Sequence, residues 1–284
     1  MSGSITLENR FGVNKMELIS LKYAIFVIVL LVLYYCFPKK YRWYVLLAGS
    51  MAYYVIICKW YVLFIIFTIC TTYGSTIWID KLLKEQNAIV KSHKEDWDRQ
   101  TRKEYKEKGR KKRVAVMLFA LLCNFGILAF LKYIPYAGEL GLLLPLGISF
   151  YTFQSMGYVM DVYREIVEPE KNFLKVALFV SFFPQIIQGP IAIYDKLAGQ
   201  LYEGHSLRLE NLQKGALLVL WGVMKKLVIA DRAVNIINFV MDKPMDFSGT
   251  YVFFAAVVYA LQLYADFSGG IDIVRGIAEM FGIT

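Results

Sequence analysis

Along this chain the apolar positions come as runs punctuated by short charged clusters, and the runs set the expected elements. Tyr23–Phe37, brought to spanning length by Ile19 to Lys22, is followed by Trp43–Cys58, Tyr61–Ile79 and Val114–Leu131. Each approaches the roughly 20 apolar residues a helix needs to cross a bilayer. The first lacks a small-residue cleavage site and reads as a retained anchor. Met1–Ser20 before it is an unpatterned polar tail, and Met16-Glu17-Leu18-Ile19 runs straight into the first span, which makes Met16 an alternative start.

Beyond a short outer loop at Tyr133–Glu139 the pattern loosens. Leu140–Met160 mixes Pro145, Gly147, Ser149, Thr152, Gln154, Ser155 and Gly157 with large apolar residues, the composition of a helix packed by other helices on most sides. Lys171–Ile187 runs into Pro184-Gln185-Ile186-Ile187-Gln188-Gly189-Pro190, which suits a broken or re-entrant segment. Tyr194–Asn211 is polar enough for a loop. Gly215–Met224 holds only ten residues before Lys225-Lys226, a rise of about 15 Å, so a helix half-embedded or lying at the interface, with snorkelling lysines, is expected, and Ala233–Met241 continues amphipathically.

The last stretch carries the chemistry. Tyr251–Leu263 is apolar and leads into Tyr264-Ala265-Asp266-Phe267-Ser268-Gly269-Gly270-Ile271-Asp272, then Arg275 and Glu279. Ionisable groups joined to such a run usually face a bundle interior or a watery cavity. Gly269-Gly270 reads as a helix break beside Asp266. The alternative is a helix that leaves the membrane near Ala265 and carries Asp272, Arg275 and Glu279 as a surface salt-bridge ladder.

Composition fixes the class. With 57% hydrophobic residues and mean hydropathy +0.46, the chain is an all-α, polytopic integral membrane protein rather than a soluble domain. The transmembrane domain is expected over 21–284. The formal charge is +9, and 81–113 holds thirteen basic and six acidic residues, so most of the surplus is one loop. That loop is expected to be cytoplasmic and in contact with membrane lipid, which puts Lys39, Lys40 and Arg42 inside as well and the N-terminus outside. No nucleic-acid recognition module accompanies the charge. Cys36, Cys58, Cys70 and Cys123 lie in apolar runs without metal-ligand spacing and read as packing residues.

Nucleophile elbows, phosphate-cradling loops and metal-ligand sets are all missing, and His93 and His205 are isolated. What remains is a set of intramembrane polar groups: Gln154, Gln185, Gln188, Asp266 and Ser268. Each alone reads as interhelical glue; together, beside proline and glycine breaks, they could line a passage for a polar or thioester-bearing substrate.

Three blocks carry a resemblance. Pro145-Leu146-Gly147-Ile148-Ser149-Phe150-Tyr151-Thr152-Phe153-Gln154 with Tyr158, Asp161 and Tyr163 is the first, and Phe182-Phe183-Pro184-Gln185 with Gly189-Pro190-Ile191 the second. The third is Tyr264-Ala265-Asp266-Phe267-Ser268-Gly269 with Asp272, Gly276 and Met280-Phe281-Gly282. With Trp221-Gly222, Lys225-Lys226 and Ala230-Asp231 between them, they resemble the membrane-bound O-acyltransferase (MBOAT) family in its bacterial branch of alginate O-acetyltransferases and teichoic-acid D-alanyltransferases. Phe267-Ser268-Gly269 is closer to the alginate type.

The resemblance implies a ring-like helical fold around a tunnel, with Gln154, Tyr158, Gln185, Gln188, Asp266 and Ser268 as candidate channel residues. An acyl thioester or acyl-carrier protein would serve the cytoplasmic side as donor, with no bound cofactor or metal. An extracytoplasmic acyltransferase is a possible partner, and a transporter or polymer-export component is the rival reading. The family's Arg-Trp-His motif and essential histidine follow the block at Met280-Phe281-Gly282. Neither His93 nor His205 matches them, so no catalytic residue is carried over, and the chain is expected to be an N-terminal portion inactive by itself.

Overall fold

A computed structural model of the chain describes residues 19–93, 96–133, 144–242 and 244–284. The tail before residue 19 with its alternative start, and the expected outer loop and helix start at 134–143, lie outside the described residues. The described chain is helical, with no strand among its elements. Three helical stretches, Lys39–Ser92, Arg99–Tyr133 and Gly249–Met280, are long and apolar enough to cross a membrane. Packing divides the chain into two units: Leu47–Ile186 with Ile191–Tyr202, and Met16–Leu46 with Ile187–Pro190 and Glu203–Thr284.

The opening helices are α1, Leu21–Cys36, and α2, Arg42–Cys58, whose last residues lie in the first unit. Ser20 caps α1, its hydroxyl accepting from the Tyr23 amide at 3.2 Å. In the first unit, α3 (Val62–Ser92) packs on α4 (Arg99–Tyr133), and both pack on α5 (Ile148–Tyr163). The basic segment is helical to Ser92 and again from Arg99. The two spanning helices simply run on beyond their apolar parts into a charged hairpin. There Gln86 is buried against Gly109, where any Cβ would meet its amide.

Helix α5 starts at Ile148, later than the composition suggested, because Gly147 takes φ +68 and sets its first turn. A side chain there would be strained by that φ and would strike the Ile186 carbonyl, so only glycine serves. Nine residues of α5 are buried, among them Tyr151, Gln154, Ser155 and Tyr158, which is the all-round packing its small residues implied. The proline-rich segment is broken as its sequence suggests: α6 (Phe173–Ser181) stops at Phe182, and α7 (Phe183–Gln188) follows. Pro184 sits in the first turn of α7, where its missing N–H costs nothing. The unit closes with α8, Tyr194–Tyr202, packed on α5 and α6.

In the second unit α9 (Leu209–Met224) continues through a π-helical turn, Lys225–Ala230, into α10 (Asp231–Met241). The helical path thus continues past the lysines, and it is not among the stretches long and apolar enough to cross a membrane. All three pieces pack along α11, Gly249–Met280. That helix is unbroken, so the expected break at Gly269-Gly270 does not exist. The glycines instead remove side chains from a contact face. Gly222 lies against the Gly269 carbonyl and Gly215 against that of Gly276, at 2.5 Å from where a Cβ on Gly215 would stand. Seven-residue spacing on both helices makes one antiparallel seam of backbone-to-backbone contact, the small-residue packing used where lipid gives helices no hydrophobic reason to associate.

Candidate functional site

The first sequence block and the Phe182–Gln185 part of the second meet inside the first unit. Ending α6 at Phe182 frees two backbone groups that a continuous helix would have joined: the Phe179 carbonyl and the Phe183 N–H. Gln154 Nε2 donates to the Phe179 carbonyl at 2.8 Å, and the Phe183 N–H donates to Ser50 Oγ at 3.1 Å. All of these groups are buried. Gln154 therefore holds the break open, and Ser50, which the sequence reading did not single out, holds its other half. Gln185 is buried in the turn just beyond.

Tyr158 sits one turn further along the buried face of α5. Its hydroxyl accepts from the Glu170 N–H at 2.8 Å, and its ring stacks on Tyr194 at 4.0 Å between centroids. Glu170 in turn accepts from the Asn172 N–H and lies 3.7 Å from Lys175 Nζ. Asn172 caps α6 through the Leu174 N–H. Tyr158 thus fixes the turn that launches α6, the helix whose far end Gln154 terminates.

The remaining candidates, Gln188, Asp266 and Ser268, belong to the second unit. The Gln188 amide lies against Gly270, where a Cβ would collide with it. Asp266 pairs with Lys226 across to the π turn, and Asp272 pairs with Lys225 at 2.6 Å. The two ion pairs flank the Gly222–Gly269 contact. Snorkelling is corrected here, since both lysines turn inward to carboxylates; the Asp272–Arg275–Glu279 ladder is likewise replaced by a bridge between helices. Lys225 also lies over the Trp221 ring at 5.7 Å. The Ser268 hydroxyl is buried without a hydrogen-bond partner. One extra residue per turn at Lys225–Ala230 lets consecutive lysines reach both sides of α11, and π turns of this kind are frequent at functional sites.

A third knot joins the end of the third block, Met280-Phe281-Gly282, to residues that sequence reasoning treated only as topology signals or bystanders. The Arg42 guanidinium lies 5.4 and 5.2 Å from the Tyr34 and Tyr35 rings and donates to the carbonyls of Phe37, Tyr35 and His205. The His205 N–H donates to Tyr34 Oη at 3.3 Å, and its Cβ faces Gly282, which holds φ +85. Tyr35 Oη donates 2.7 Å to the Met280 carbonyl at the end of α11. His205 is thereby tied down by its backbone, and Met280-Phe281-Gly282 forms its seat. His93 stacks on Trp97 at 4.8 Å in the charged hairpin, far along the chain from any candidate. No group of three potential metal ligands occurs among the described residues.

Comparison with known proteins decides the lineage. The chain is 32% identical over 205 residues to a peptidoglycan O-acetyltransferase of Helicobacter pylori. It is 36% identical over 142 residues to a probable alginate O-acetylase of Pseudomonas syringae, and 33% over 167 residues to another of Azotobacter vinelandii. The chain is similar, over about half its length, to proteins named as bacterial O-acetylases. These matches cover 59, 49 and 58% of the chain and 39, 27 and 31% of the relatives' own lengths, so the chain spans well under half of each O-acetylase it matches. No family model matches it. The resemblance to the O-acetylase branch of the MBOAT family, read from the motif blocks, is borne out by these individual relatives.

Proposed function

We propose that this chain forms part of a membrane O-acetyltransferase that moves an acetyl group from a thioester donor on the cytoplasmic side to hydroxyls of an extracytoplasmic polysaccharide or cell-wall polymer. The observation that carries the reading is its identity with proteins named for O-acetylation of peptidoglycan and alginate. Paired charges and an unpartnered hydroxyl on apolar helices support it, because such groups in lipid mark polar pathways more often than they stabilise a fold. In this reading Gln154 and Tyr158 are positioning residues that shape the break beside Gln185, while Gln188, Asp266 and Ser268 border a polar path in the second unit. Ester transfer to a hydroxyl needs a base for the acceptor proton. Neither histidine in the chain is assigned that role, and no residue here is called catalytic. The donor, an acyl-carrier protein or other thioester, and an extracytoplasmic acyltransferase partner belong to the same proposal.

The orientation we assign places the N-terminus outside and the hairpin 81–113 in the cytoplasm, from the distribution of Lys and Arg. Deleting the gene and measuring O-acetyl esters on exported polysaccharide and cell wall by mass spectrometry tests the activity. Loss of the ester, restored by the gene, is the expected result. Unchanged esters with polymer retained inside the cell would replace acetyl transfer by export.

A further inference from the structure

Where α3 and α4 run on past their apolar parts, they and Glu165, in the turn after α5, line an open cleft of about 520 Å³. Four cations line it, Lys103, Lys106, Arg110 and Arg113, against two carboxylates, Glu107 and Glu165. One of those carboxylates is shared, because Glu107 also lies 3.8 Å from Lys111. The cleft is therefore electropositive.

Arg113 sets it apart from an ordinary solvated charge run. Its side chain is only 11% exposed, Nη1 donates to Gln86 Oε1 at 2.7 Å, and Nη2 stands 3.9 Å from Glu165, too far for a forked hydrogen bond. Its Nε is buried with no hydrogen-bond partner. Gln86 is 6% exposed and wedged against Gly109, so a neutral, immobile amide orients the guanidinium, whose charge faces only the half-exposed Glu165 among the described residues. A buried donor without an acceptor in the chain is costly, and the remaining guanidinium edge of Arg113 lines the cleft together with Arg110, Lys106 and Lys103.

Depth narrows the chemistry. Arg113 directly precedes the apolar run Val114–Leu131. Arg110 is about 4.5 Å further out and Lys103 about 15 Å, at 1.5 Å per residue. The cleft thus opens at the level of lipid phosphates and extends outward from there.

We propose that this cleft is a binding site for a phosphate-bearing anion, gripped by the guanidinium groups of Arg113 and Arg110 with Lys106 and Lys103 drawing it in. Guanidinium forks match phosphate oxygens in two-point geometry, and basic pockets between spanning helices suit anionic head groups. The site is independent of acetyl transfer and stands or falls separately from it.

Native mass spectrometry of the purified full chain from nanodiscs tests it, comparing phosphatidylglycerol with phosphatidylcholine and, separately, adding inorganic phosphate in a thermal-shift assay. Arg110→Gln is chosen because Arg110 is exposed, so its loss should leave the fold intact, with Lys108→Gln as the equal-charge control outside the cleft. Retention of phosphatidylglycerol, about fivefold weaker in Arg110→Gln and nearly unchanged in Lys108→Gln, identifies a lipid head group. Thermal protection by inorganic phosphate with the same variant pattern, but no lipid retention, identifies a soluble phosphate compound. Equal losses in the two variants, or no preference for either probe, would reduce the cleft to a solvated charge cluster and overturn the proposal. Arg113→Lys adds an independent readout: it keeps the charge but loses the fork, and should weaken binding as Arg110→Gln does.

Discussion

In the unit built on α5 and α6 a helix is interrupted, and neutral side chains, Gln154 and Ser50, take up the backbone groups the interruption frees. In the unit built on α9 and α11 the helix runs unbroken past two adjacent glycines, and lysine–aspartate pairs join it to its neighbour. Proline and glycine, read alike as breakers, do opposite things. Proline in a first turn tolerates a break; glycine in a helix core costs about 1 kcal/mol in propensity but permits a backbone contact that no other residue allows. The first unit spends hydrogen bonds to keep a discontinuity. The second uses close approach to avoid one, and adds charge where the approach is tightest.

Removing Asp272 should break this contrast most severely. Both partners of the Lys225–Asp272 pair are mostly buried, at 17 and 15% exposure. Asp272→Ala should lower stability by roughly 3–5 kcal/mol, because an uncompensated ammonium is left in the seam. Thermal melting in detergent checks it, and adding Lys225→Met should recover a large part of the loss. Gly222→Val attacks the same seam by volume, since even a Cβ there would stand 2.9 Å from the Ile273 N and 2.7 Å from its Cγ1. A cost near 3 kcal/mol, the upper end for overpacking, is expected with charges intact.

In the other unit Gln154→Leu should cost roughly 2 kcal/mol by leaving the Phe179 carbonyl buried and unpaired. If instead Gln154 chiefly borders a polar passage, the variant melts like the parent and loses only polymer acetylation. Measuring both properties on one preparation separates the roles.

How much of this could be read from the chain follows the same division. Apolar runs located the helices long enough to span, although Tyr23–Phe37 forms only the 16-residue α1, and Pro184 with its neighbours located the break, because both are local properties of a segment. The unbroken α11 was not legible from Gly269-Gly270 alone, since the choice between breaking and packing depends on what lies opposite. One signal was available: Gly215 and Gly222, like Gly269 and Gly276, are seven apart, a spacing that returns small residues to one helix face. Pairing of Lys225 and Lys226 with aspartates some forty residues on, and the locking of Arg113 by Gln86, rest on tertiary approach that no single segment encodes. Arg42 read as a topology signal, whereas its guanidinium is committed to three carbonyls and two rings.

The smallest expected effect is the most informative about a passage. Asp266 pairs with Lys226 as Asp272 does with Lys225, yet its side chain is 40% exposed against 15% for Asp272. If the exposed side meets water, Asp266→Asn removes an ordinary solvated pair. It should then cost at most about 1 kcal/mol, and the loss should shrink further as salt is raised. If that side meets hydrocarbon, water cannot screen the orphaned lysine, and the loss should approach the several kcal/mol expected for Asp272→Ala and ignore salt. The ratio of the two losses, taken across a salt series, therefore reports the medium on the open side of the α9–α11 seam. A small, salt-sensitive cost keeps Asp266 at the edge of a water-filled path; equal, salt-insensitive costs would place it in a dry joint and strike it from the passage.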